Sequence, residues 1–158
     1  MLLRGMAAAL EAAHARGIVH RDLKPENVFI VQQGSTPTPK ILDFGIARLL
    51  SELPTSHVRG LTRVGQLFGT PDYMAPEQSA WEKPSIAWDI WALAVVAYEM
   101  MTGCLPDEQA EGDLPPALRA FFATALSVEP ADRPAGATEL VDRLEQAMSV
   151  SYGAAHSS

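Results

Sequence analysis

The stretch from Ile86 to Thr102 is apolar almost all round, with acids only at Asp89 near its start and Glu99 near its end. A helix with no polar face is stable only when other elements cover it on every side, so the rest of the chain has to be arranged around this one. Gly103 supplies its stop. Its unbroken apolar run, Ile90–Tyr98, is nine residues long. That is far below the roughly 20 needed to cross a bilayer, so the segment reads as a core helix and not as a membrane span. A length of 158 residues suits one domain with one core. Apolar and charged shares of 47% and 20% are those of an ordinary globular protein.

Composition excludes several classes. A single cysteine, Cys104, cannot form an internal disulfide framework, and histidines at 14, 20, 57 and 156 have no zinc-site spacing. Residues 6–13 imitate a signal peptide only weakly, since Glu11 interrupts a short apolar stretch, so a reducing cytoplasm is the expected compartment. Residues 1–70 carry eight Lys/Arg against five Asp/Glu (net +3), and residues 71–158 carry four against fourteen (net −10). A chain this acidic is a poor general partner for nucleic acid.

Around the central helix the pattern is mainly α with a few short β-strands. Residues 1–16 read as a helix with apolar residues on most faces, ending at Gly17. Ile18–Val19, Val28–Val31 and Lys40–Leu42 are short β-type runs, with a turn over 33–39. Residues 46–80 show no sustained period and read as a long loop, which a compact domain keeps only for a purpose. Ala117–Leu126 and Ala137–Met148 read as helices, and 149–158 as a flexible polar tail.

The chemistry concentrates in His20-Arg21-Asp22-Leu23-Lys24-Pro25-Glu26-Asn27, between two of the β-type runs. Twenty-one residues after Asp22 comes Asp43-Phe44-Gly45, and Ala75-Pro76-Glu77 ends thirty-four residues after Asp43. Taken together these resemble the protein-kinase signature set H-R-D-L-x-x-x-N, D-F-G and A-P-E, in the right order. A lone D-F-G is weak. The catalytic-loop match, with five fixed residues at about 5% usage each, arises by chance about once in a few million positions. Lys-Pro-Glu-Asn, and Thr70 in Gly69-Thr70-Pro71, are similar to the serine/threonine branch. The DIWALAVVAYEMMTG…EPADRP pattern most resembles eukaryotic-type serine/threonine kinases of bacteria.

The resemblance implies a kinase C-terminal lobe over residues 1–148, using ATP and Mg²⁺ (or Mn²⁺) on protein Ser/Thr hydroxyls. Asp22 would accept the hydroxyl proton, and Lys24 would offer positive charge to the transferring phosphoryl group. Thr70 would touch both, Asn27 and Asp43 would hold the metal and so the phosphates, and Phe29 would lie under the adenine. Phe29 reads equally well as ordinary strand core. Arg21 would pair with a phosphate on the activation loop, where Ser51, Thr55, Ser56 and Thr62 are acceptors and Arg59 and Arg63 can join the pocket. His20 and Phe44 would stack, Asp89 would anchor the catalytic loop's backbone, and Glu77 and Arg133 would form a buried ion pair. Glu26 and Glu99 read as solvated or structural carboxylates before they read as selectors of basic substrates.

Departures from the pattern are equally plain. No glycine-rich loop, V-A-I-K strand or helix with a pairing Glu precedes residue 20, so the N-terminal lobe is expected to be absent from this chain. The 158 residues alone are then expected to bind ATP weakly and to phosphorylate little. The alternative is a truncated, inactive lobe used for docking, and a missing N-lobe or fused domains in a longer product are the partners implied. Ala94 stands where the family commonly has Gly, and Asp107 where it usually has Phe. The short span from Pro106 to Pro115 leaves little room for the family's extra docking helix.

Overall fold

In the computed structural model, which describes residues 2–34, 36–44, 71–80, 83–106 and 114–153, the chain opens with helix α1, Leu2–His14. Its buried residues Met6, Ala7, Leu10 and Ala13 recur every three or four positions. The helix therefore has one inward stripe, narrower than the sequence suggested. Gly17 ends it as expected: a φ of 72° brings the Gly17 N–H to His14 O (2.9 Å) and the Ile18 N–H to Ala13 O (3.0 Å). These two bonds satisfy carbonyls that a helix end leaves open. The expected strand at Ile18–Val19 does not form, since no described strand lies beside it to pair with.

Strands β1 (Val28–Gln33) and β2 (Thr36–Ile41) pair antiparallel, Val28 opposite Ile41 and Gln33 opposite Thr36. The expected turn over 33–39 is thus mostly strand. Pro37 and Pro39 mimic a turn signal, because proline lacks the N–H that a central strand must donate. Two residues apart they face the same way, and among the described residues β2 has a neighbour on one side only. Proline is tolerated on such an edge.

A 3₁₀ turn at Pro71–Tyr73 and a short helix α2 (Pro76–Ser79) lie inside the stretch expected to be loop. The central helix α3 spans Ile86–Thr102 as expected, and Gly103, at φ 76°, gives its N–H to Glu99 O (2.8 Å). Helix α4 is Pro116–Ala125 and α5 is Ala137–Gly153. Helix α5 outruns the expected Met148 end, so residues 149–153 are helical and not a frayed tail. The Ser151 hydroxyl donates to Ala147 O (2.8 Å), which satisfies the serine without leaving the helix.

Leu10 of α1, Leu93 and Tyr98 of α3, Leu118 and Phe122 of α4, and Leu140 and Leu144 of α5 share one core cluster. Tyr98 and Phe122 meet edge-to-face at 5.0 Å. Helix α1 also lies so close to β2 that a Cβ on Gly5 would fall 2.6 Å from Pro39 Cγ. Glycine is what permits that approach. Leu23 ties the eight residues between Val19 and Val28 to this core, and side chains of α2 and α3 and the backbone of Leu42, just after β2, reach them.

Candidate active site

Residues His20–Asn27 form no regular structure beyond a 3₁₀ turn at Pro25–Asn27, and side chains from elsewhere fix their path. Asp89, buried in the first turn of α3, accepts the His20 N–H at Oδ2 (2.8 Å) and the Arg21 N–H at Oδ1 (2.9 Å). His14 Nε2, in the last turn of α1, donates to the same Oδ2 (2.7 Å). Three donors offset the cost of burying the carboxylate. Sequence reasoning named Asp89 but missed His14, which no local spacing links to a residue 75 positions away.

His20 is fully buried. Its Nδ1 accepts the Asp22 N–H (3.3 Å), so the proton sits on Nε2, which donates to Leu42 O (2.9 Å). Leu42 in turn gives its N–H to Asn27 O (2.8 Å). Both backbone polar atoms of Leu42 are therefore held by the loop, immediately before Asp43. The His20 and Phe44 rings meet edge-on at 4.7 Å. Arg21 (φ 69°) and Asp43 (φ 56°) are the described non-glycine residues in the left-handed region. Such conformations cost about 1–3 kcal/mol each and persist where neighbours over-determine them, as here.

Asn27 Nδ2 donates to Asp22 O (2.7 Å) and to Asp22 Oδ2 (3.2 Å), and Lys24 Nζ stands 3.4 Å from that Oδ2. The Asp22 side chain is 37% exposed, which leaves it open to an incoming group. With its nitrogen committed to Asp22, Asn27 has Oδ1 to offer a cation, and Asp43 adds an exposed carboxylate. Among the described residues no three His, Cys, Asp or Glu side chains gather into a metal cage. Hard oxygen donors of this kind fit Mg²⁺, which keeps waters and binds substrate phosphates.

Phe29 is 55% exposed and is followed by exposed Ile30 and Val31, so the strand-core reading of Phe29 fails. Arg133 grips Glu77 with both ends of its guanidinium, Nη1 to Oε1 (2.7 Å) and Nη2 to Oε2 (2.8 Å), and both side chains are buried. It also donates to Ser127 O (2.8 Å) and Ala87 O (3.0 Å) and lies over the Trp91 ring at 4.9 Å. Tyr73 donates its hydroxyl to Glu99 Oε2 (2.5 Å). Burial, then the Glu99 carboxylate, raises the phenol's pKa above its ordinary value, so it stays protonated. Glu99 thus has a structural partner, while Glu26 is exposed. Thr70, Ser51, Thr55, Ser56, Thr62, Arg59, Arg63 and Asp107 lie outside the described residues.

The family of protein kinase domains matches residues 1–143, and the chain belongs to it. It is 50% identical over 107 residues to the serine/threonine-protein kinase Pkn1 of Myxococcus xanthus, covering 66% of this chain and 15% of that protein. It is 34% identical over 171 aligned positions to the serine/threonine-protein kinase PknD of Mycobacterium tuberculosis, covering 95% and 24%. The crystal structure of the Mycobacterium tuberculosis PknI kinase domain matches with a TM-score of 0.65 at 28% identity, covering 90% of this chain and 52% of that one. Its relatives are thus bacterial serine/threonine kinases, and its fold is the C-terminal portion of a kinase domain. The chain spans about half of that solved domain and a quarter or less of these two relatives.

Proposed function

We propose that these residues are the catalytic half of a serine/threonine protein kinase that transfers the γ-phosphoryl group of ATP to protein hydroxyls. The observation that carries this reading is the convergence of Asn27 Nδ2 and Lys24 Nζ on one oxygen of a half-open Asp22. Phosphoryl transfer asks the protein for positioning and charge neutralisation more than for covalent work. Asp22 takes the proton of the substrate hydroxyl, and Asn27 holds its carboxylate in line. Lys24 presents a point positive charge beside the same oxygen, where the transferring group arrives. Asn27 Oδ1 and the Asp43 carboxylate would hold Mg²⁺, which when bound neutralises and bridges the phosphates.

The exposed Phe29 offers the adenine ring an apolar floor next to Asn27. The reading also requires a covering half with a glycine-rich loop and a lysine, which these 158 residues do not include. Incubating the native gene product with Mg²⁺, γ-labelled ATP and a peptide library, followed by phosphoamino-acid analysis, tests the reading. Label on serine and threonine is expected. Label on tyrosine alone, or none, would refute it.

A further inference from the structure

The peptide unit between Arg21 and Asp22 is held at both ends by side chains. Its N–H, on Asp22, donates to His20 Nδ1 (3.3 Å), and its carbonyl, on Arg21, accepts from Gln78 Nε2 (2.7 Å). Because a peptide is planar, fixing both ends fixes the plane and with it the Asp22 N–Cα bond. Asn27 Nδ2 on Asp22 O (2.7 Å) holds the next peptide, and the two together set the direction in which the Asp22 side chain leaves the backbone. The plane follows a residue at φ 69°, a conformation that side chains disfavour, so it relaxes readily when an anchor is lost.

Gln78 is 6% exposed and sits on α2 directly after Glu77. Glu77 is locked by its two-pronged contact with Arg133, whose guanidinium also holds Ala87 O and Ser127 O. An unbroken series of contacts therefore runs from Arg133 through Glu77 and Gln78 to the Arg21 carbonyl. We infer that Gln78 is a positioning residue for Asp22, coupling the place of α2 to the orientation of the catalytic carboxylate. It touches no reacting atom. The geometric part stands on this structure alone, and the effect on rate rests on the kinase reading above.

Gln78→Met keeps the length and apolar stem of the side chain but has no donor. In hydrogen exchange on the full 158-residue chain, amides of residues 20–24 are expected to exchange about tenfold faster in the variant, with α3 unchanged. Gln78→Glu, of equal size and without the amide donor, is the second variant if the first does not fold. In the active native product, kcat should fall about tenfold while KM for ATP stays within about twofold, because only Asp22 is displaced. Unchanged exchange over residues 20–24 would overturn the proposal. So would an equal rise throughout α3, which would make Gln78 a packing residue, or a loss confined to KM. If the wild-type product shows no Asp22-dependent turnover, the kinase reading fails while the exchange result still decides the positioning claim.

Discussion

In the helical bundle, Leu10, Leu93, Leu118, Leu140 and Leu144 are buried against one another, whereas the eight residues His20–Asn27 bury only His20 and Leu23. The bundle is held by apolar contact, which is non-directional and tolerates small shifts. The loop is held by hydrogen bonds to Leu42, Gln78 and Asp89, all outside it in sequence, and Asp89 is itself held by His14. Such bonds are directional and fail over a few tenths of an ångström. The contrast teaches where each kind of damage shows: changes in the bundle should cost stability first, and changes in the loop's anchors should cost rate first.

Glu77→Gln should produce the largest loss of stability, because it strands the buried Arg133 charge; breaking such a pair costs about 3–5 kcal/mol. Urea unfolding of the chain measures this, and a loss under about 1 kcal/mol would show the pair to be solvated. Gly5→Ala probes the seam between the bundle and the hairpin. The new methyl would meet the Pro39 ring at 2.6–2.8 Å. Overpacking of about 1–3 kcal/mol should outweigh the helix propensity gained, about 1 kcal/mol, for a small net loss. A more stable variant would mean that α1 and β2 are further apart than described. Phe29→Ser should have the smallest effect on folding, within about 0.5 kcal/mol, since the ring is exposed. It should still raise KM for ATP in the native product; an unchanged KM would remove Phe29 from the nucleotide site.

The same contrast explains what was legible in the sequence. Helix α3 was readable end to end because an all-round apolar segment has one solution, burial, and because Gly103 marks its end, as Gly17 marks that of α1, by a backbone conformation that favours glycine. The residues around Asp22 were readable as a motif, since their spacing is local. Strand β2 was hidden by two prolines whose cost depends on a neighbour that sequence does not display. His14 and Gln78 left no signal at all. Each is one polar residue on a helix, and its partner lies 75 or 57 positions away.

The most direct test of the central claim is turnover by Asp22→Ala in the native product, measured on protein whose unfolding midpoint has been checked against wild type. Removing a positioned base costs about 10²–10⁴ in rate, and a side chain 37% exposed should be lost with little change in stability. A fall of that size at an unchanged midpoint is the expected result. Turnover equal to wild type would contradict the account, because it would leave the convergence of Asn27 and Lys24 on Asp22 without a chemical role.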